Sequence, residues 1–350
     1  MDWTSLLDDD GHDELLVLNK PKTSRLVDSL SQHHQRYSPW IAFCFTLNYV
    51  LGVGALGVPK AFVSAGPVLA SIVMLLVFMV TAITVSWMIE ILSLAQGIHT
   101  AKLLEFDVVS DPLVADELAL ERSLHSSLET RQKLFEISTK FEVSALTHLI
   151  LGRKGKIAFQ ISLSFLMYTG LWAYSAVFVN TLEGIISNRL LNVLIFSALV
   201  VPLSCLELTE QWVVQVILTI IRGITFVSMI VATLVAMQLD SFDSDETRVS
   251  GPFVSSIPLV EFKGFGLIFT TSVFSLLFQH SVPGLLFPLK DRTKASRVFD
   301  SALAVCTAIY IFLGCICSLY FGEKTQSSVN LNWARFSYGY PLDQVPMILV

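Results

Sequence analysis

Apolar residues in this chain come in long blocks, not in the short alternations of strands or the one-sided stripes of surface helices. A helix needs roughly 20 apolar residues to cross the hydrocarbon core of a bilayer. Seven stretches approach or exceed that length with almost no charge: residues 38–59, 66–89, 157–182, 190–206, 211–239, 264–289 and 301–322. Arg222 is the single charged residue inside them. An eighth apolar stretch, "DQVPMILV", has just begun at Val350, so the sequence reads as an incomplete version of a longer chain. The pattern predicts an all-α multi-pass membrane protein. Its organisation would be a polar, acidic tail (1–37), spans one and two (38–95), a charged loop with an amphipathic helix (96–156), spans three to five (157–239), a second loop (240–263), spans six and seven (264–322), and a loop leading to an eighth span (323–350).

Composition supports the same class. The chain is 53% hydrophobic and 15% charged, with a mean hydropathy of +0.65, too little polar surface for seven buried core helices of a soluble protein. Basic residues close to span ends collect before the first span, between the second and third, and between the sixth and seventh, which predicts a cytoplasmic amino terminus. The net charge of −6 comes partly from tail and loop segments such as "DDDGHDE" and "DSFDSDE" and implies no nucleic-acid partner. The opening "DWTSLL" has the D-x-x-x-L-L shape of a sorting signal, leaving plasma membrane and lysosome or vacuole both open. All five cysteines lie in apolar runs. Cys315 and Cys317 have no His or acid nearby, so packing is expected there and no metal site.

The first span contains "LGVGALGVP", in which Gly52, Gly54 and Gly57 match G-x-G-x-x-G. A dinucleotide loop needs a helix directly after the glycines and an acid about 20 residues on. Instead Pro59 follows closely, and the segment that should hold the acid is "SIVMLLVFMV". Two readings remain: close helix packing around small residues, or a broken helix. Glycine costs about 1 kcal/mol and proline about 3 in a helix interior. At membrane depth an irregular backbone is tolerated where protein buries it or where it lines a cavity, as in the broken helices of secondary transporters. The broken-helix reading is favoured, with Gly52, Val53, Gly54, Ala55 and Gly57 meeting a substrate carboxylate. An inverted repeat demands a matching interruption five spans later. "GFGLIFTTSVFSLLFQHSVPGLLFPL" offers one, with Thr270, Thr271, Ser272 and Ser275 near its middle around Phe274, then Gln279, His280, Pro283 and Gly284, although isolated Ser and Thr in a span often only bond back to the helix.

These segments resemble a known family. "NYVLGVGALGVPKAFVSAG" resembles the first-span signature of the amino acid/auxin permease family. "KFEVSALTHLILGRKGKIAFQ" resembles its segment before the third span, and "FTTSVFSLLFQHSVPGLLFPLKD" its sixth span. Within the family, "GVGALGVPKAFVSAG" together with "LFEISTKFE" looks most like the branch called transmembrane protein 104. The resemblance implies a five-plus-five inverted-repeat (LeuT-like) fold, here incomplete after the seventh span, and amino acid transport coupled to Na+ or H+. It also implies that Asn48 serves ion coupling, that residues 52–57 are the unwound part of the first span, and that residues 272–275 are the unwound part of the sixth.

The charged groups leave alternatives open. Arg222, expensive at mid-membrane, is either a counter-charge or gate, or a structural partner of a carboxylate or helix carbonyls. His280 is either a proton carrier or a packing residue. Glu90 and Glu183 fit snorkelling at span ends. The expected function is secondary active transport of an amino acid or similar small zwitterion by alternating access, without a cofactor beyond a coupling ion. The rival is a non-transporting amino acid sensor or membrane scaffold working through the 96–140 loop. No span carries paired acids, a metal cluster or a nucleophile with its base, so an enzyme is not expected.

Overall fold

The computed structural model describes residues 37–52, 54–110, 142–183, 186–205, 212–240 and 257–333. The sorting-like motif at the amino terminus, most of the charged loop, Val53 and the start of the eighth span lie outside the described residues. Helix α1 (Pro39–Val50) starts at Ser38, an extended N-cap whose hydroxyl accepts from the Ile41 N–H at 3.5 Å, with proline in the first turn where its missing donor is harmless. Helix α2 (Gly54–Ala65) continues the same span after a break and is bent 54° from α1. It ends at Gly66, whose φ of +82° is a left-handed cap. A Cβ there would also strike the Leu259 carbonyl at 2.5 Å.

Helix α3 (Pro67–Ser110) has 44 residues and continues well past the second span's expected end at residue 95; at 1.5 Å per residue it is about 66 Å long, twice what a bilayer core needs. Helix α4 (Val143–Glu183) joins the predicted amphipathic segment to the third span across a kink at Gly152 (φ 70°, ψ −171°). Helix α5 (Arg189–Ser204) has only 16 residues, so the fourth predicted span is shorter than a standard crossing. Helix α6 is Trp212–Asp240 and α7 is Phe265–Leu276; after a short break come the one-turn α8 (Val282–Leu286), then α9 (Ala295–Phe321) and a final turn, α10 (Asn330–Trp333). Among the described residues, five helical stretches are long and apolar enough to cross a membrane, and six if α1 and α2 count as one. The chain is a multi-pass membrane protein, and among the described residues its regular structure is all helical.

The first and sixth spans run antiparallel and are stitched together at both ends. At one end Tyr37 N–H donates to the Pro288 carbonyl (3.0 Å), Lys290 N–H donates to the Tyr37 carbonyl (3.1 Å), and the Tyr37 hydroxyl donates to the Leu285 carbonyl (2.6 Å). At the other end Glu261 N–H donates to the Ala65 carbonyl (2.8 Å) and Val68 N–H to the Leu259 carbonyl (3.2 Å). Thus the start of span one meets the end of span six, and the end of span one meets the start of span six. Helix α9 packs along α1, α2 and α3, filling the centre with Tyr310, Phe299, Leu303 and Leu313, all fully buried.

Candidate functional site

The break in span one takes in Leu51 and Gly52, and α2 is already helical from Gly54. The expected unwound stretch of residues 52–57 is therefore shorter than its glycines suggest. Gly54, Ala55 and Gly57 form the first turn of α2, and Val53 lies outside the described residues. Pro59 sits inside α2 and only removes the bond that its N–H would have made to Ala55. In span six the helix stops at Leu276, not within the serine cluster: Ser272, Phe274 and Ser275 are all helical, and the irregular residues are Leu277 and Phe278. The hydroxyls of the threonines show why such a cluster does not unwind a helix. Thr270 bonds back to the Gly266 carbonyl at 2.8 Å, satisfying itself within α7. The Gln279 side chain marks the true break, accepting from the Phe278 N–H at 3.1 Å and donating to the Thr84 hydroxyl at 3.2 Å.

The two broken spans touch at Gly54. A Cβ on Gly54 would lie 2.5 Å from the Ser275 hydroxyl and 2.9 Å from its Cα, so only glycine permits this approach. A cavity lies on either side of the contact, and Gly54 and Phe274 line both. The α1-side cavity, about 540 Å³, is bounded by Asn48, Gly52, Tyr174, Ser275 and His280 among apolar residues of α4. The α2-side cavity, about 400 Å³, is bounded by Gly57, Thr270, Thr271, Val177, Ser327 and Ser328. Among the described residues neither lining includes Asp, Glu, Lys or Arg, and His280 is the one imidazole. Both volumes suit a small ligand. The α2-side cavity is roofed by the segment after α9: Val329 N–H donates to the Leu56 carbonyl (2.9 Å), and the Asn330 amide donates to the Thr181 hydroxyl (2.9 Å).

The expected residues separate into groups. Asn48, Gly52, Gly54, Gly57, Phe274, Ser275 and His280 line the cavities, whereas Ala55 and Ser272 are fully buried and line neither. The Asn48 amide donates to the carbonyl (2.6 Å) and the side-chain oxygen (2.9 Å) of Gln215, while its own Oδ1 is buried without a hydrogen-bond partner. The hydroxyls of Ser272 and Ser275 and Nδ1 of His280 are likewise buried and unpartnered. Among the described residues Arg222 meets no carboxylate: its Nη1 donates to the carbonyls of Asn48 and Leu51, each at 2.7 Å, so of the open readings helix carbonyls are what it pairs with. Glu90 and Glu183 are exposed.

Two sets of residues escaped the reading of the sequence. Gln215 and Thr219 stand at helical spacing to the already singled-out Arg222 and with it lay one polar stripe of α6 along α1, the Thr219 hydroxyl donating to the Cys44 carbonyl at 3.2 Å. That spacing inside an apolar run is a signal in the sequence. Tyr310, in mid-span on α9, donates to the Val50 carbonyl at 2.6 Å, with the Ser275 carbonyl 3.5 Å away, so it stands between both broken spans. A tyrosine hydroxyl buried at that depth has to find a partner, but nothing local says which.

The family of transmembrane amino acid transporter proteins matches residues 35–338. The chain belongs to this family. Relatives include the transmembrane protein 104 homolog of Dictyostelium discoideum, 26% identical over 83% of this chain and 63% of the relative, and transmembrane protein 104 of Mus musculus, 22% identical over 89% and 69%. The Caenorhabditis elegans homolog is 24% identical over 85% and 60%. The chain thus spans about two thirds of the length of these relatives. The resemblance drawn from "NYVLGVGALGVPKAFVSAG" is borne out for both the family and the branch. No solved structure matches the chain.

Proposed function

We propose that this family member is a secondary transporter for a neutral amino acid or similar small zwitterion, working by alternating access about the Gly54–Ser275 contact. The observation that carries the reading is the pair of cavities meeting at Gly54 and Phe274 where two antiparallel spans are both interrupted. The reciprocal stitching of the two spans supports an inverted repeat, because exchanging spans one and six turns one end's contacts into the other's.

The substrate carboxylate would meet the first turn of α2, where the positive end of the helix dipole and the N–H groups other than that of Ala55, which serves the Gly52 carbonyl, favour an anion. Linings without full charges favour a substrate whose side chain is neutral. Ser275, Thr270 and Thr271 would supply hydrogen bonds, and Asn48 with its unpartnered Oδ1 would meet the substrate amine or a coupling proton or ion. The amino terminus would be cytoplasmic and the chemistry non-enzymatic.

The test is uptake of pooled radiolabelled amino acids into liposomes holding the full-length protein. Accumulation that is abolished by Gly54→Leu supports the reading. Saturable binding of an amino acid without flux would replace the transporter with a sensor.

A further inference from the structure

The break between α1 and α2 releases main-chain carbonyls in the interior of the protein, and most of them are accounted for. The Leu47 carbonyl accepts from Leu51 N–H (2.7 Å) and the Gly52 carbonyl from Ala55 N–H (3.1 Å). The Val50 carbonyl accepts from Gly52 N–H (2.8 Å) and from the Tyr310 hydroxyl (2.6 Å). The carbonyls of Asn48 and Leu51 converge on Nη1 of Arg222. This is the C-terminal end of a half-helix, where the dipole is negative and where unwound carbonyls of broken-helix transporters coordinate a coupling cation. A cation is already there, held on a helix that contacts α1 through Gln215 and Thr219 as well.

The geometry points to Arg222 as the built-in cation of the first-span break, occupying with a fixed guanidinium the place a coupling metal ion would take. Two of the oxygens such an ion would need are committed to Nη1, and a second positive charge beside the guanidinium would be repelled in a medium of low dielectric. Any ion dependence of this protein therefore arises elsewhere than at these carbonyls. The inference deepens the transporter reading by addressing its coupling, but the contact itself is independent of transport.

The experiment is thermal unfolding of the purified full-length protein in NaCl against choline chloride at equal ionic strength, for the wild type, Arg222→Lys and Arg222→Ala. The wild type should show the same midpoint in both salts. Arg222→Lys, retaining a charge, should keep most of the stability, and Arg222→Ala should melt about 5 °C or more lower and recover part of that loss with millimolar methylguanidinium. An Arg222→Ala protein as stable as the wild type and indifferent to methylguanidinium overturns the proposal, as does a saturable sodium shift in the wild type that disappears in Arg222→Lys and Arg222→Ala. If Arg222→Ala does not fold, the wild type and Arg222→Lys still decide. Failure of uptake with an unchanged salt result would remove the transporter reading and leave this inference standing.

Discussion

The first and third spans are both long apolar stretches, yet one is broken, bent and buried while the other runs continuously along the outside. The 18-residue window that qualifies α4 as a span holds no buried residue, whereas half of the corresponding window around α9, which packs on the broken first span, is buried. Trp172 on α4 is 69% exposed; Phe45 and Phe62 on α1 and α2 are fully buried. A helix that satisfies its own backbone can face lipid with its apolar side chains. A broken one leaves carbonyls that must be met by neighbouring side chains, here Arg222 and Tyr310, and so has to lie at the centre. Irregularity and burial thus go together for a physical reason.

That contrast can be broken most forcefully at Gly54. Gly54→Leu should abolish uptake while leaving membrane insertion intact, because a branched side chain cannot share space with Ser275; normal uptake by this variant would remove the helix contact from the mechanism. Next in size is Tyr310→Phe, which deprives the Val50 carbonyl of its side-chain donor and should lower stability by about 1–3 kcal/mol, read as a lower melting midpoint. Trp172→Ala on the open flank should change stability by no more than about 0.5 kcal/mol, and a loss as large as that of Tyr310→Phe would show that the flank is covered by protein. Smallest is Gly223→Ala on α6, where an added Cβ meets nothing within 4 Å, so expression and melting should match the wild type or improve slightly.

The presence of a break in span one was legible because Gly52, Gly54, Gly57 and Pro59 are all poor in a helix interior. Its position was not, since glycine permits several breaks and neighbours select one. Span six misled in the opposite way: Ser272 and Ser275 look disruptive but are helical, while the real interruption at Leu277 and Phe278 contains neither glycine nor proline. There Pro283 sits in the first turn of the restarted helix α8, and Gln279 caps a released N–H. The short α5 was also invisible as such, because hydropathy counts apolar residues and not where a helix is cut.

What the sequence determined by itself was the solvent: blocks of apolar residues near 20 long have one stable home, and their internal hydrogen bonds make them helices there. It also determined the family, through the glycine-rich first span. Only the tertiary structure decided the partner of Arg222, the link from Tyr310 to the first span, and the meeting of Gly54 with Ser275. Those contacts join residues 171 to 260 positions apart, and their geometry depends on how the helices cross, which side-chain polarity alone does not encode.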